Sequence, residues 1–563
     1  MNNEEILVEA LRPAVGEYLD DAAIERLIEV PNNPEHGDLA FPTFQLAKVL
    51  RKAPQMIAEE VAEAMDKRSF SEVKVIGPYI NVKLQRTKVG AHIIEQVLAE
   101  GATYGSQNIG QGEVMTIDFS SPNIAKPMSM GHLRSTVIGH AIANIATKTN
   151  YQPVRINHLG DWGTQFGKLI VAYKGWGDEA KVRANPVQEL VKLYVEFHEK
   201  AESDPSLDEA GRAAFKALED GDEEMLALWG WFREESLKEF QKVYDILGVT
   251  FDSYHGEAFF NDKMEPVIQE LEDKGITEVN EGATIVDLSA EDLPPALIKK
   301  SDGATLYVTR DLAAAFYRKN TYDFAKNVYV VGNEQRVHFQ QLKAVLSKMG
   351  YAWSEDIVHV PFGLITKDGR KLSTRKGDIV LLEDVLKEAI DLAYEQIEAK
   401  NPDLEMKDQV AHDVGVGAVI FHDLKTDRMN SFDFNLQEIV EFEGETGPYV
   451  QYTYARAKSI LRKVGSDAKL TQAFNLDDDY SWDIVKKLGA YPQIIAHSME
   501  RYEPSVIAKY AVQLAQAFNK YYANVRILEE DDQRSARIAL VQAMTIVLKD
   551  ALALLGVNAP EEM

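Results

Sequence analysis

The first run of residues able to do chemistry begins at Ser120 and reads SSPNIAKPMSMGHLRSTVIG. It follows an apolar stretch and leads, after Met130, into residues with helical spacing. A strand that leads into a helix favours anion binding, because the first amide N–H groups of the helix are free and its N-terminal end is positive. Gly131 lets a nucleotide approach the backbone, His132 can donate from a ring nitrogen, and Lys126 adds a charge. The run therefore predicts a nucleotide site, with an ordinary polar corner between strand and helix as the alternative.

A second run, NHLGDWGTQFG, extends from Asn157 to Gly167 behind the apolar stretch PVRIN. It combines three glycines with a histidine, an acid and a tryptophan. In open α/β sheets, ligands lie beyond the carboxyl ends of the strands, and glycines there allow close approach of the backbone. The run therefore predicts a ligand-binding loop. A turn that carries polar side chains but binds no ligand is the alternative. A lone histidine such as His158 is more often structural than catalytic.

A third run, GLITKDGRKLSTRKG, predicts a hairpin that turns at Asp368 and Gly369 and continues into a loop. Five of the ten residues from Lys367 to Lys376 are cations and one is an acid. Such an island is unusual in a chain whose net charge is −28. Cations on a loop suit the charge that develops on a pyrophosphate leaving group. A solvated basic hairpin is the alternative.

Alternating strands and helices are expected to position these runs. From Val114 to about Leu382, short apolar strands alternate with longer helical stretches, which is the pattern of a parallel sheet with crossover helices. The predicted strands lie in VMTIDF, PVRIN, NVYVVG and DIVHVPFG. From about Tyr173 to Pro295 we expect a helical insertion, because apolar residues recur at helical spacing before a very acidic stretch.

The regions on either side of this core differ from it. Residues 1 to about 85 predict a small α/β unit, with helical patterning from Glu4 to Leu19, a helix that begins near Pro54, and two strands in VKVIGPYINVKL. After about Leu382 the strands stop, and the helical period continues to an apolar helix from Ser535 to Leu555.

Length and composition limit the class of protein. A chain of 563 residues is too long for one ordinary core and predicts several domains. The absence of cysteine excludes disulfides, thiolate zinc sites and cysteine nucleophiles. No stretch approaches the ~18 unbroken apolar residues of a membrane span, and acids stand where a signal peptide carries basic residues. We therefore expect a cytoplasmic protein that binds no membrane. The net charge of −28 argues against indiscriminate coating of nucleic acid but allows local basic patches.

Two stretches of the C-terminal helices could hold a nucleic acid. The stretch TGPYVQYTYARAKSILRKVGS, from Thr446 to Ser466, contains four cations, three tyrosines and no acid. The stretch FNKYYANVR adds two adjacent tyrosines and an arginine. Aromatic rings supply stacking platforms for unpaired bases, and cations hold phosphates. Core packing is the alternative for tyrosines at helical spacing, and it is the interpretation we favour for Tyr454.

Ser129 to His132, SMGH, resembles the HIGH signature of class I aminoacyl-tRNA synthetases, and Lys371 to Arg375, KLSTR, resembles a degenerate KMSKS loop. The blocks SPNIAKP, GHLRSTVIG, NHLGDWGTQFG, YVTRD and GNEQ resemble the arginyl-tRNA synthetases in particular, and the similarity spans the whole chain. Ser129 stands where the signature has its first histidine, and Thr374 stands where the loop has its second lysine. In that family a lysine just before the signature is thought to compensate, and Lys126 occupies the matching position.

The resemblance implies a multidomain α/β protein with a Rossmann-type parallel-sheet catalytic core, a small N-terminal α/β domain and an all-α C-terminal domain. Residues 1–110 would form the N-terminal tRNA-elbow-binding domain and linker. Residues 111–382 would form the catalytic domain, with its helical insertion at about 173–295. Residues 383–563 would form an all-helical anticodon-binding domain.

The resemblance also implies the reaction, in which ATP, L-arginine and tRNA(Arg) give AMP, diphosphate and arginyl-tRNA(Arg) through an arginyl-adenylate. ATP is a substrate, and its Mg²⁺ and nearby cations offset the charge of the departing diphosphate. Activation is expected to require bound tRNA, no resident metal ion is expected, and we expect a monomer. The residues implied for catalysis are Lys126, His132, Lys371 and Arg375. The residues implied for ATP binding are Ser129, Gly131, His132, Gly160, Asp161, Lys371 and Ser373.

Arginine itself constrains its pocket. A guanidinium is planar, permanently charged and offers five donors, so a selective pocket should present carboxylate acceptors. Asp311 and Tyr307 are four residues apart and share a face in either a helix or a strand. We expect Asp311 to dominate, because Asp118 is one methylene shorter than the glutamate that the family often uses. The residues implied for arginine binding are Asp118, Asn123, His158, Tyr307, Asp311 and Gln335. The residues implied for tRNA binding are Asn81, Tyr449, Arg456, Tyr521 and Tyr522.

The same residues leave alternatives open. For each pocket residue the alternative is a buried polar group that only satisfies the backbone. Ser129 and Thr374 together would also suit a catalytically silent tRNA-binding paralogue. A class I synthetase for another amino acid should lack the paired acceptors. ATP–pyrophosphate exchange across the amino acids, with and without tRNA, separates these possibilities.

Overall fold

The computed structural model describes residues 3–301, 307–367, 370–371, 380–465 and 473–563, with the backbone alone for residues 367, 370 and 371. These residues form an N-terminal α/β unit, a parallel-sheet core with a long insertion, and a C-terminal helical domain. This architecture confirms the predicted fold class. Within the described ranges, no helix combines the length and apolar character needed to cross a membrane.

The N-terminal unit is a three-stranded antiparallel sheet covered by helices. Its elements are α1 Asn3–Val15, α2 Asp21–Leu27, β1 Leu39–Pro42, α3 Phe44–Leu50, α4 Pro54–Ala64, β2 Phe70–Ile76, β3 Tyr79–Leu84 and α5 Arg86–Glu100. The strand order is β1-β3-β2, and β2 joins β3 through Gly77 and Pro78, as predicted. Helix α1 ends earlier than predicted, because Asp20 caps the next helix by accepting a hydrogen bond from the amide of Ala23.

The parallel-sheet core begins with the strand that precedes the run at Ser120. Its first elements are β4 Val114–Asp118, α6 Leu133–Lys148, β5 Gln152–Ile156 and α7 Thr164–Trp176. Strand β4 pairs with β5 in parallel. The predicted strand, loop and helix around the signature are therefore confirmed.

The insertion after α7 is helical only in its first part. Its elements are α8 Glu179–Ala184, α9 Pro186–Ser203, α10 Ser206–Glu219, α11 Glu223–Leu247, α12 Met264–Asp273, β6 Glu278–Asn280, β7 Ala283–Val286 and β8 Ala296–Lys299. The prediction of a helical insertion is wrong for its last part, where β6, β7 and β8 form an antiparallel sheet. Glu281 and Gly282, at φ 49° and 83°, form the two-residue loop between β6 and β7. Two residues with positive φ are what the tightest hairpin loops require.

The second half of the core completes the sheet. Its elements are α13 Tyr307–Tyr322, β9 Lys326–Val330, α14 Arg336–Lys348 and β10 Ile357–Val360. The strand order is β10-β9-β4-β5, all parallel, as predicted. Asp118 lies beside Ile156 on one side and Tyr329 on the other. The loops after β4, β5 and β9 therefore leave the sheet at one edge, where α/β sheets bind ligands.

A short hairpin and the helical domain follow. The elements are β11 Ile365–Lys367, β12 Arg370–Lys371, α15 Leu382–Lys400, α16 Lys407–Lys425, β13 Phe432–Asp433, α17 Leu436–Ile439, α18 Gly447–Val464, α19 Asp479–Arg501, α20 Ser505–Asn524 and α21 Arg534–Leu554. Strands β11 and β12 are antiparallel, which confirms the predicted hairpin, while its predicted turn at Asp368 and Gly369 lies outside the described residues. Strand β13 pairs with β11 in parallel, so the prediction that strands end near Leu382 is wrong. A strand of two residues is too short to produce an alternating pattern that could be recognised in the sequence.

Helix α6 ties the core to the helical domain. Arg134 Nε lies 3.3 Å from Asp423 Oδ1, and the two side chains are 2% and 0% exposed. Burial raises the pKa of Asp423 to about 6, although Arg134 opposes the rise. Arg134 also donates to the carbonyl of Asn430 at 2.8 Å, and its guanidinium lies over the ring of Phe432 in β13. The helix that follows the signature and the strand beside the hairpin are thus held by one side chain.

Candidate active site

Two cavities open near the edge where β4, β5 and β9 end. The first, named here the carboxylate cavity, has a volume of about 510 Å³ and is lined by Asp118, Glu257 and Asp311, among others. The second, named here the lysine cavity, has a volume of about 390 Å³ and is lined by Lys126, among others. Asn123 lines both, so the cavities adjoin. The six residues predicted for arginine binding all line the carboxylate cavity: Asp118, Asn123, His158, Tyr307, Asp311 and Gln335.

Asp118 ends β4 and is already neutralised within the protein. Its Oδ2 lies 2.8 Å from Nη2 of Arg318, whose side chain is buried. Its Oδ1 accepts a hydrogen bond of 2.9 Å from the hydroxyl of Ser121. Both carboxylate oxygens therefore have partners, and Asp118 forms a structured wall of the cavity rather than a free acceptor.

Asp311 lies one turn after Tyr307 on α13, so the helical of the two predicted geometries is the one observed. Its Oδ2 lies 2.5 Å from Nε2 of His338 on α14. Burial opposes ionisation of Asp311, but the hydrogen bond and positive charge of His338 outweigh it and hold the pKa of Asp311 below its ordinary value. Asp311 thus presents an ionised acceptor, as expected. His338 was not predicted, although it follows Gln335 by three residues in GNEQRVH.

Glu257 is a second acid that sequence reasoning missed. It lies between α11 and α12 of the insertion and lines the carboxylate cavity. Its Oε1 lies 3.7 Å from Nη1 of Arg310, which is beyond hydrogen-bond distance. Burial raises the pKa of Glu257 to about 7, and Arg310 only partly offsets the rise. Nothing in the local sequence marks Glu257, because tertiary packing of the insertion brings it to the cavity.

The two predicted loops meet through their backbones. The amide of Ile124 donates to the carbonyl of Gly160 at 3.1 Å, and the amide of Gly160 donates to that of Pro122 at 3.1 Å. A Cβ at Gly160 would lie 1.8 Å from Oδ1 of Asn123, so any other residue there would displace the Asn123 side chain. His158 is partly buried and lines the same cavity, where desolvation lowers its pKa. A neutral His158 fits a wall of the cavity.

The lysine cavity lies between the signature loop and the first helices after it. Its lining includes Lys126, Ser129 and His132 of the loop, together with Phe166 of α7 and Tyr194 of α9. The amide of Ser129 donates to Nδ1 of His132 at 3.1 Å, so the ring proton of a neutral His132 sits on Nε2. Burial, with a smaller contribution from Lys126, lowers the pKa of His132 and keeps the ring neutral. His132 can therefore donate through Nε2, as predicted.

Three residues assigned to ATP from the sequence are placed differently. Gly160 lines the carboxylate cavity rather than the lysine cavity. Asp161 is 1% exposed and lines neither. Its carboxylate accepts from Nε of Arg233 at 2.9 Å and from the amide of Ala258 at 2.9 Å. The carboxylate of Asp161 is therefore held by groups inside the fold, and its role in ATP binding stays a prediction. Gly131 lines neither cavity, but a Cβ there would meet only Oγ of Ser129, at 3.3 Å, so its backbone is open to a ligand.

The basic run is described only in part. Lys371 ends β12, where its backbone pairs with Thr366 of β11. Ser373, Thr374 and Arg375 lie outside the described residues. The roles predicted for these side chains and for that of Lys371 stay predictions.

Three side chains from the two C-terminal stretches form a stack, in which Tyr522 is exposed and Tyr452 and Arg456 are partly buried. The guanidinium of Arg456 lies between the rings of Tyr452 and Tyr522, 5.0 Å and 4.9 Å from their centroids. Its Nη1 donates to Oδ1 of Asn519 at 2.7 Å, and the hydroxyl of Tyr449 accepts from Nδ2 of the same asparagine at 3.0 Å. Arg456, Tyr449 and Tyr522 are therefore brought together, and Tyr452 joins them.

Two tRNA residues predicted from sequence are buried in this structure. Tyr521 is 0% exposed, and Asn81 is 4% exposed. Tyr521 faces the helical core, since adjacent positions of a helix point about 100° apart. Asn81 lies on β3, the middle strand of its sheet. Neither side chain is available to RNA here. Tyr454 is also buried, as its core interpretation predicted.

The described residues contain no group of three or more His, Asp or Glu side chains arranged to hold a metal ion. The acids of the carboxylate cavity face basic side chains instead: Arg318 beside Asp118, His338 beside Asp311, and Arg310 near Glu257. The lining of the cavity therefore combines three acids with the basic side chains beside them, and the separation between Glu257 and Arg310 is the longest of the three.

Three family models match consecutive parts of the chain. Residues 2–84 match the arginyl tRNA synthetase N terminal domain, residues 93–436 match tRNA synthetases class I (R), catalytic domain, and residues 450–563 match the DALR anticodon binding domain. The catalytic match runs past Leu382 and includes β13.

Relatives match the whole chain. The arginine–tRNA ligase of Enterococcus faecalis is 60% identical over 563 residues, which are all of both chains. That of Streptococcus thermophilus is 58% identical over 564 aligned positions, with both chains covered in full. Among solved structures, the arginyl-tRNA synthetase of Thermus thermophilus has a TM-score of 0.83 at 26% identity, and the match covers 100% of both chains.

Proposed function

The chain belongs to the class I arginyl-tRNA synthetases, and on that premise we propose that the carboxylate cavity holds arginine and the lysine cavity adjoins the reacting phosphates of ATP. The protein is an arginine–tRNA ligase that uses ATP as a substrate. The silent paralogue and the synthetase for another amino acid are therefore set aside. The roles of individual residues below are our proposal.

The observation that carries the proposal is the convergence of Asp311 and Glu257 on one cavity. Both carboxylate oxygens of Asp118 already have partners within the protein, so Asp311 and Glu257 are the acids proposed to meet the ligand. A guanidinium is a planar fork of donors that carboxylates accept in pairs. Asp311 would bind one edge of the fork, and Glu257 would bind another once ionised. Tyr307 and Gln335 are exposed at the rim, where they can contact the rest of the amino acid.

The link between the two cavities supports a route for the first step. Asn123 lines both, so an arginine whose side chain points to Asp311 can direct its carboxylate toward the lysine cavity. Lys126 is exposed there, beside the Nε2 donor of His132 and the hydroxyl of Ser129. Such groups stabilise charge on transferring phosphoryl groups without covalent chemistry. Lys371, Ser373 and Arg375 would complete the cation set, and Mg²⁺ would enter bound to the triphosphate.

The tRNA is proposed to bind along the flanking domains. The stack of Tyr452, Arg456 and Tyr522 offers rings and a charge to unpaired bases of the anticodon. In the N-terminal unit, Phe44 is 51% exposed and packs edge-on against Tyr79 at 5.8 Å. These two rings, rather than the buried Asn81, would meet the tRNA elbow.

We also propose that arginine activation depends on bound tRNA, that the enzyme works as a monomer, and that it acts in the cytoplasm, where its product would serve protein synthesis. The domain boundaries at 1–110, 111–382 and 383–563 remain part of this proposal.

ATP–pyrophosphate exchange across the amino acids, with and without tRNA(Arg), tests the proposal. We expect exchange with arginine and tRNA together, and little exchange without tRNA or with any other amino acid. Equal exchange without tRNA would contradict the tRNA dependence. Exchange with lysine or glutamine at the arginine rate would contradict the assignment of the carboxylate cavity.

A further inference from the structure

Helix α11 of the insertion lies along both loops of the active site. Trp229, Arg233, Ser236, Phe240 and Tyr244 recur at intervals of three or four residues, so they form one stripe on the helix. Phe240 meets Pro127 and Met128 at a small cavity beside the signature loop. Trp229, Arg233 and Ser236 each form a hydrogen bond to one of the two loops, and Tyr244 forms hydrogen bonds to both.

Tyr244 joins the two loops at the arginine end. Its side chain is buried, and its hydroxyl lies 2.8 Å from Oγ of Ser120 and accepts from Nδ2 of Asn157 at 3.0 Å. Ser120 begins the first loop, and Asn157 begins the second. The next residue, Ser121, donates to Asp118 and accepts from the amide of His158. Tyr244 therefore holds Ser120, the residue next to Ser121, and Ser121 orients Asp118 and His158 in the wall of the carboxylate cavity.

Ser236 holds the other end of the first loop. Its Oγ accepts a hydrogen bond of 3.0 Å from the amide of Ala125, the residue before Lys126. Ser120, Ser121 and Ala125 have φ of 69°, 47° and 60°. Residues other than glycine rarely adopt this left-handed backbone conformation. It persists only where surrounding contacts hold it. The two contacts from α11 lie at the two strained ends of the loop.

Trp229 and Arg233 act on the second loop. Nε1 of Trp229 donates to the carbonyl of Asp161 at 2.7 Å, and Nε of Arg233 donates to the Asp161 carboxylate at 2.9 Å. Because Gly160 pairs with Pro122 and Ile124 of the first loop, holding Asp161 also holds the contact between the loops.

We propose that α11 is the element that positions the active site, with Tyr244 and Ser236 as positioning residues for arginine and for Lys126 respectively. The inference rests on the proposed assignment of arginine to the carboxylate cavity. Neither residue lines that cavity or the lysine cavity, so each acts through the loop it holds. Tyr244 positions Asp118 and His158, whereas Ser236 positions Lys126 beside the phosphates.

The test compares Tyr244→Phe and Ser236→Ala with Tyr510→Phe in the full-length enzyme. Tyr510 is a matched control, because it is equally buried and donates to a backbone carbonyl, that of Lys487, at 2.7 Å within the helical domain. Aminoacylation of tRNA(Arg) gives kcat and the KM values for arginine and ATP, and thermal melting gives Tm. Wild-type activity in the same assay tests the proposed function separately.

We expect Tyr244→Phe to raise the KM for arginine about fivefold to tenfold, which is the effect of one lost neutral hydrogen bond, with a smaller change in kcat. We expect Ser236→Ala to lower kcat by a similar factor, about fivefold to tenfold, with the KM for arginine nearly unchanged. Tyr510→Phe should lower Tm only. If both α11 variants lower Tm alone, as the control does, the inference is overturned. Should Tyr244→Phe fail to fold, Ser236→Ala, which removes one bond to one amide, decides the question by the same criterion.

Discussion

The carboxylate of Asp311 and Nε2 of His338 lie 2.5 Å apart on the wall of the carboxylate cavity. An ionised carboxylate only accepts hydrogen bonds, so the proton between them belongs to His338. The pair fixes the orientation of Asp311 before any ligand arrives and keeps its pKa below the ordinary value. The arginine side chain would then meet a preformed acceptor, which reduces the cost of ordering the site on binding.

Asp311→Asn should reduce kcat/KM for arginine by about 100-fold, because it removes the charge from a charge-assisted pair in a partly buried site. The matched control is Asp323→Asn, at the exposed end of α13, which should leave the rate unchanged. Steady-state aminoacylation at varied arginine measures both. A loss of less than about fivefold would be too small for a charged acceptor.

Glu257 should make arginine binding depend on pH. Burial raises its pKa to about 7, so the group is protonated below that pH and ionised above it. A guanidinium favours the ionised form, so binding below this pH must release a proton. The KM for arginine should therefore fall as pH rises from about 6 to about 8 and then level off.

The variant Glu257→Gln should abolish this decrease in KM, and Glu265→Gln, an exposed acid on α12, should retain it. The measurement is the KM for arginine across the pH range at saturating ATP and tRNA. A pH dependence in Glu257→Gln identical to that of the wild type would remove Glu257 from the arginine site.

Lys126→Ala should lower the rate of arginine activation by about 100-fold, since it removes a cation directed at the phosphates. The KM for arginine should change little, because Lys126 lines the other cavity. Lys174→Ala, on the exposed surface of α7, is the control. Near-normal pyrophosphate exchange by Lys126→Ala would refute its role as the compensating lysine.

Changes to the stack around Arg456 should weaken binding of tRNA(Arg) and leave binding of arginine unchanged. Loss of one stacking ring in Tyr522→Ala should raise the KM for tRNA(Arg) about tenfold, within the range for one base on one aromatic side chain. Tyr480→Ala removes a tyrosine of similar exposure on α19 and should change nothing. Equal KM values for tRNA in the two variants would place the anticodon elsewhere.

The buried pair of Arg134 and Asp423 predicts a stability effect. Asp423→Asn leaves the Arg134 guanidinium without its counter-charge at 2% exposure, so the free energy of unfolding should fall by about 3 to 5 kcal/mol. Asp208→Asn breaks a more exposed pair with Lys168 and should cost less than about 1 kcal/mol. Urea unfolding monitored by circular dichroism compares them, and equal midpoints would show that the buried pair contributes little.

Sequence patterns predicted the features that depend on the spacing of apolar residues along the chain. The four parallel strands and the signature loop were predictable, because apolar runs alternate with helices and parallel strands end at one edge. The six residues assigned to arginine were carried over from the family resemblance, and the shared edge explains how residues from four separate blocks come to line one cavity. The hairpin at Glu281 and Gly282 was missed although its two turn residues follow the β-branched run that favours a strand.

Other features depend on tertiary packing, which the spacing of apolar residues in the sequence does not reveal. Tyr521 and Tyr522 are adjacent, and only the packing of α20 decides that the first is buried and the second exposed. Asp161 was assigned to ATP from the family resemblance, but Arg233 of α11 and the backbone amide of Ala258 hold its carboxylate inside the fold. Glu257 and Tyr244 reach the site from the insertion, far from the motifs in sequence.

The relative use of arginine and citrulline by the wild type and by Asp311→Asn is the most direct test of the central claim, that carboxylates in this cavity select a guanidinium. Citrulline has nearly the same shape and no charge. From pyrophosphate exchange with tRNA(Arg) present, we predict that the wild type prefers arginine by at least about 1,000-fold and that Asp311→Asn reduces this preference at least about tenfold. An unchanged ratio in Asp311→Asn would contradict the claim.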